Sequence, residues 1–185
     1  MKSLVFSIAI LFASTTVAQN HEDSVLIRLT NQERAKLGLK PLQYSIVMDS
    51  AAEFHTRYMV SHNKIDHTEY EPQPGETETF YGGRDRVKRF ANLSNDQFSY
   101  RLSREVCAAE GMSDSLVANF KRFPIRSRDQ VVQEFFKGWM NSPGHRSILM
   151  DPEVTHIAFG IGLMTDPKTS TWYYYGTGVV SQKIN

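Results

Sequence analysis

Two stretches of the chain repeat apolar residues at helical spacing. Met48, Ala52, His55 and Met59 form one stripe, with Ala51 and Tyr58 beside it, which predicts a helix after Ser45. Val132, Phe135, Phe136 and Trp139 follow the i, i+3, i+4, i+7 rule. Ser127-Arg128-Asp129-Gln130 precedes them with the S-x-x-Q capping pattern, and Ser142-Pro143-Gly144 reads as a turn that stops the helix by Asn141. Earlier in the chain, Asp23 or Ser24 can cap a helix running to about Leu37, with Gly38 and Pro41 ending it. Glu71 to Gly83 reads as a loop, Arg84 to Phe90 as a short helix, and Asn92 to Arg104 as polar and irregular. Towards the C-terminus the period changes to two. Ile157, Phe159, Ile161 and Leu163 alternate with Ala158, Gly160 and Gly162, so one strand face is large and apolar and the other tiny. A turn at Asp166–Ser170 leads to a second strand from Trp172 to Val180. Helices come first and strands last, without βαβ alternation. The expectation is an α+β fold with helices covering a largely antiparallel sheet.

Composition narrows the function. The chain has 185 residues, 41% of them apolar, which suits one packed domain. Lys plus Arg is 21 against 20 for Asp plus Glu, so no basic surplus exists to grip nucleic acid. Lys2, the apolar stretch Leu4–Phe12 and the small residues up to Thr16-Val17-Ala18 have the layout of a secretory signal peptide cleaved after Ala18. The expected organisation is a leader over 1–18 and a single domain over 19–185, secreted or periplasmic, monomeric and without a membrane span. The single cysteine, Cys107, excludes an internal disulfide framework and any CxxC metal site, and a buried thiol is the expectation for it.

Several segments resemble one family. Leu29-Thr30-Asn31-Gln32-Glu33-Arg34-Ala35-Lys36-Leu37-Gly38-Leu39-Lys40-Pro41-Leu42 is similar to the opening of bacterial members of the CAP superfamily, the group that includes cysteine-rich secretory proteins, antigen 5 and pathogenesis-related proteins. The similarity continues through Ala51-Ala52, Met59, Asp66-His67-Thr68 and Gly83-Arg84-Asp85-Arg86-Val87. It is strongest at Gly138-Trp139-Met140-Asn141-Ser142-Pro143-Gly144-His145-Arg146-Ser147-Ile148-Leu149 and ends with His156-Ile157-Ala158-Phe159-Gly160-Ile161-Gly162. Residues 92–103 and 112–126 read as insertions. The resemblance implies a three-layer α-β-α sandwich and a cleft built on two histidines and acids. By motif these are His67, His145 and, in Arg104-Glu105-Val106-Cys107, Glu105, with Glu110 as the alternative acid. The place of a second family glutamate, three residues after the tryptophan, holds Ser142.

Two imidazoles and a carboxylate can hold zinc or another divalent metal. Glu105 can ligate directly, or accept the second N–H of a histidine and fix its tautomer. The same trio can act as a general base without metal. No nucleophile elbow surrounds Ser142. His55 sits on an apolar stripe and reads as a core histidine, His62 as a solvated neighbour, Trp139 and the Phe135–Phe136 pair as core, and Lys121, Arg122, Arg126 and Arg128 as a solvated basic face. The leading expectation is a secreted protein that binds a lipid, glycan or envelope component at this cleft. The alternatives are a metal- or His/Glu-assisted hydrolase acting on protein or cell wall, and a structural or adhesive module with a vestigial cleft.

Overall fold

A computed structural model describes residues 21–73, 75–77, 79–96, 99–112, 127–165 and 172–184. The segment read as a leader, the basic residues Lys121, Arg122 and Arg126 and the segment read as a turn at 166–170 lie outside the described residues. The elements run α1 (His21–Lys36), β1 (Gln43–Tyr44), α2 (Ile46–His62), α3 (Gly83–Leu93), β2 (Ser99–Met112), α4 (Arg128–Asn141), α5 (Pro143–Leu149), β3 (His156–Thr165) and β4 (Trp172–Ile184). The strand order is β1-β3-β4-β2. Pairings β3–β4 and β2–β4 are antiparallel, while the two-residue β1 lies parallel to β3, so the sheet is mixed. Helices cover both faces, which makes the three-layer α-β-α sandwich.

The alternation in β3 decides what packs where. Ile157 and Phe159 join Leu26 of α1 and Val132, Phe135 and Trp139 of α4 in the larger core. On the opposite face Ala158 joins Val47, Met48, Ala51 and Ala52 of α2 and Val87 and Ala91 of α3. A Cβ on Gly160 would stand 2.7 Å from the α2 backbone at Ala52 and Glu53, so the missing side chain is what lets α2 lie on the sheet. Thr56 Oγ1 bridges the layers to Gly160 O at 3.1 Å and to Thr177 Oγ1 at 3.0 Å.

The end signals behave as their chemistry requires, with instructive departures. Ser127 and Gln130 form both bonds of the capping box. Gly38 takes φ 70° and Leu39 N donates to Arg34 O at 3.0 Å, closing α1. Asp23 is not a cap. It lies fully buried inside α1, and its Oδ1 accepts from Phe159 N at 2.8 Å, tying α1 to the sheet. The segment read as irregular contains the start of β2, an edge strand with a bulge between Arg101 and Arg104 where Leu102 takes φ 52°. The Pro-Gly corner is likewise helical: Pro143 opens the seven-residue α5 from its first position.

Asp49, in the first turn of α2, is buried. Burial pushes its carboxyl up to about 6, Glu53 adds to the rise, and the neighbouring Tyr44 hydroxyl opposes it. An acid raised on folding favours the fold below its unfolded value of about 3.9 and costs stability as pH climbs through the folded value. Asp49→Asn should therefore stabilise the protein by about 1–2 kcal/mol at pH 8, after some loss of helix-dipole interaction, and change little at pH 4. Urea denaturation at the two pH values checks this. A variant weaker than wild type at pH 8 contradicts it.

Candidate functional site

His67 sits where the chain leaves α2. Asn63 takes φ 48° and stops the helix, with Lys64 N donating to Met59 O at 3.1 Å. The following segment is pinned by three backbone bonds: Thr68 N to Asp66 Oδ1 at 3.0 Å, Glu69 N to Phe80 O at 3.1 Å and Tyr70 N to the Tyr58 hydroxyl at 2.9 Å. Glu105 lies on β2, the sheet's edge, and faces the α2 layer together with Cys107, which packs on Met59. His145 lies in the first turn of α5, in the opposite layer. The three residues thus come together at the sheet edge, where side chains from the two helical layers approach each other.

There the predicted residues meet. His67 Nδ1 is 3.0 Å from Glu105 Oε1, and the His67 and His145 rings lie 6.5 Å apart between centroids. A carboxylate only accepts, so His67 Nδ1 carries the hydrogen. The His67 side chain is 55% exposed, the Glu105 side chain only 5%. The hydrogen bond to Glu105 raises the His67 pKa, while burial opposes it. Burial works to raise the Glu105 pKa, but His67 and Arg86 outweigh it and hold the carboxyl below its ordinary value. Burial, and then the neighbouring His67, lower the pKa of His145. Ser142 precedes α5 as its N-cap, and its backbone carbonyl accepts from Arg146 N at 2.8 Å. Among the described residues its side chain bonds to neither imidazole. The Glu110 side chain lies outside the described residues.

Beneath this trio lies a buried charge network that spacing does not reveal. The Arg86 guanidinium, fully buried, donates to Glu105 Oε2, to Glu69 Oε1 at 3.1 Å and to the carbonyls of Phe80 and His67 at 3.3 Å each. Glu69, also fully buried, meets His55 Nδ1 at 3.0 Å. The other His55 nitrogen meets Asp66 O at 2.7 Å. A carbonyl only accepts, so Nε2 donates there. One further hydrogen then lies between Nδ1 and Glu69, and whichever atom holds it the His55–Glu69 pair is neutral. Arg86 is left to balance Glu105. The core-histidine reading of His55 holds. His62 is no mere solvated neighbour: Nε2 pairs with Glu71 at 2.8 Å and the ring lies 4.1 Å from Tyr58.

Two donor sets could take a metal. His55, Glu105 and Cys107 bring one ligand atom each within 4.8 Å of one another. All three are buried, both His55 nitrogens are engaged and Arg86 holds Glu105. Burial also lifts the Cys107 thiol well above its usual pKa. A metal there would have to displace these bonds and form a thiolate beside a carboxylate. The outer pair, His67 and His145, is more accessible: the His67 ring is exposed, and burial with the neighbouring His67 holds the His145 pKa below its ordinary value. Two imidazoles on one tetrahedral zinc would stand roughly 5–6 Å apart between centroids, from Zn–N distances of about 2.0–2.1 Å, so the rings, at 6.5 Å, would have to close up to share an ion.

The profile of the cysteine-rich secretory protein family, CAP, matches residues 27–178. The chain belongs to the CAP family. It is 30% identical over 135 residues to the Bacillus subtilis protein YkwD, spanning 73% of this chain and 40% of that one. Among solved structures it resembles an outer surface protein of Borrelia burgdorferi, with TM-score 0.56 and 17% identity over 87% of this chain and 92% of that one. A Bacillus anthracis extracellular protein containing an SCP domain gives TM-score 0.52 and 21% identity over 88% and 41% of the two chains. At these identities the likeness establishes the CAP fold. No helix among the described residues of this CAP domain is long and apolar enough to cross a membrane.

Proposed function

We propose that this CAP domain is a secreted, monomeric binding protein whose cleft takes a divalent metal, zinc by preference, on His67 and His145, and receives a lipid, glycan or envelope component beside it. The observation that carries the reading is the 6.5 Å pair of imidazoles with Glu105 fixing the inner one. Of the two roles open to Glu105, orienting His67 is better supported than ligation, since both its oxygens are engaged. A bound metal would supply a Lewis-acidic centre with positions open to an external oxygen ligand. Exposed apolar side chains close to His67 in the chain, Ile65 and Tyr70, would suit an amphipathic partner.

Hydrolysis through the Cys107 thiol is disfavoured for a chemical reason. Cys107 Sγ lies 3.5 Å from His67 Nδ1, which looks like a thiol–imidazole pair. That nitrogen, however, carries the hydrogen given to Glu105, so it cannot take the thiol's proton, and burial keeps the thiol protonated. Calorimetric titration with zinc tests the proposal. Wild type should bind one ion at pH 7.5, and His67→Ala and His145→Ala should each bind at least tenfold more weakly. Equal heats in all three proteins refute the site. Because the His67 pKa is raised by Glu105, zinc competes with a proton there. Affinity should fall steadily as pH drops from 8 to 5.5, and a pH-independent affinity would count against His67 as a ligand.

A further inference from the structure

We propose that Arg86, steadied by Glu69, is a positioning residue for the cleft: it occupies Glu105 Oε2, leaves Oε1 to His67, and so fixes the His67 ring with its hydrogen on Nδ1 and a bare Nε2. The inference deepens the metal-cleft reading and rests on it for its consequence, though not for its geometry. Arg86 is 0% exposed, and its guanidinium spans the two acids and two carbonyls that frame the His67 segment. A planar fork can serve four acceptors in this way, whereas an ammonium would serve fewer and at other angles. Arg86 also donates to the carbonyl of His67 itself, so one side chain sets the backbone and, through Glu105, the ring. Glu69 is fully buried and holds Arg86 against His55, so the fork cannot swing.

The start of α3 is built around the same carboxylate. A Cβ on Gly83 would lie 3.0 Å from Glu105 Oε2 and 3.2 Å from Glu105 Cβ. Glycine there lets the positive end of a helix stand against the acid, and Arg86 follows one turn later on that helix. Buried ionic groups are costly to retain, and replacing them with apolar residues is often neutral or stabilising. Their retention here has a use at the cleft: without Arg86, a carboxylate would share the pocket with Glu69 uncompensated, and Oε1 would not be held for His67.

The test reads the His67 tautomer directly. Long-range proton–nitrogen correlation spectra of 15N-labelled, metal-free protein, assigned with His67→Ala, should show the neutral ring protonated at Nδ1. Arg86→Lys and Glu69→Gln, confirmed folded by melting, should shift the ring towards Nε2–H, and zinc affinity should drop about 10–100-fold, as for other changes behind a ligand. An Nε2–H ring in wild type overturns the proposal whether or not either variant folds. So does an unchanged Nδ1–H ring in folded variants. Absence of zinc binding in wild type, with the tautomers behaving as stated, defeats the metal reading while upholding the role of Arg86.

Discussion

Gly160→Ala is expected to lower the stability of the fold by about 3 kcal/mol, near or above the upper end of ordinary overpacking. The added methyl would stand 2.7 Å from Ala52 C and Glu53 N and 2.8 Å from Ala52 O. These are backbone atoms of α2, so no rotamer change can yield; the helix must lift from the sheet. Lifting it would strain the bonds from Thr56 to Gly160 O and Thr177 Oγ1, and would loosen the seam where Ala51 and Ala52 meet Ala158. Gly162 is the control. A Cβ there meets methyl carbons of Val60 and Thr56 at 2.7 and 2.9 Å; these side-chain atoms give more readily than backbone, although Thr56 is held by its two hydrogen bonds. Gly162→Ala should therefore cost less, about 1–2 kcal/mol. Chemical denaturation of the two variants decides the matter. A Gly160 variant as stable as wild type, or more stable than the Gly162 variant, would show that the α2 packing is looser than the structure indicates.

That seam is legible in the order of residues alone, because a strand with a glycine-rich face has a single physical explanation: something must come close. The helices α2 and α4 are legible for a similar reason, as each buries one continuous stripe. The elements that periodicity does not disclose share a different property. β2 begins in polar sequence because it is an edge strand with a bulge, and an edge needs no continuous apolar face. α5 is only seven residues long, and its opening proline serves equally as turn or helix start. Motif resemblance points to His67 and His145 through distinctive local strings, and less directly to Glu105, whose neighbours Arg104 and Val106 depart from the family's usual pattern. Glu69 and Arg86 cannot be picked out by periodicity, because a buried charge is stabilised by partners distant in sequence. Arg86 does lie within a family-like segment, Gly83–Val87, and a charged residue inside such a segment is the available signal. Glu69 offers none.

Arg34→Met should have the second large effect, and it should reach the cleft as well as the fold. Arg34 is fully buried in α1. Its Nε donates to Lys40 O at 2.9 Å, and its Nη1 donates to Leu149 O at 2.8 Å and Asp151 O at 2.9 Å. Leu149 is the last residue of α5, so a positive charge binds the carbonyl end of the short helix that carries His145. A helix of seven residues has little stability of its own. Methionine fills similar volume but strands the buried Leu149 carbonyl and the part-buried carbonyls of Lys40 and Asp151. With charge-assisted hydrogen bonds contributing about 1.5–3 kcal/mol each and some desolvation of arginine recovered, the net loss should be about 3–5 kcal/mol. At a temperature where the variant remains folded, zinc affinity should also fall, because α5 would no longer hold its ring at 6.5 Å from His67. The affinity, read beside the stability loss, separates an effect on the cleft from an effect on the fold: if folded Arg34→Met binds zinc as wild type does, α5 does not depend on Arg34 for its position.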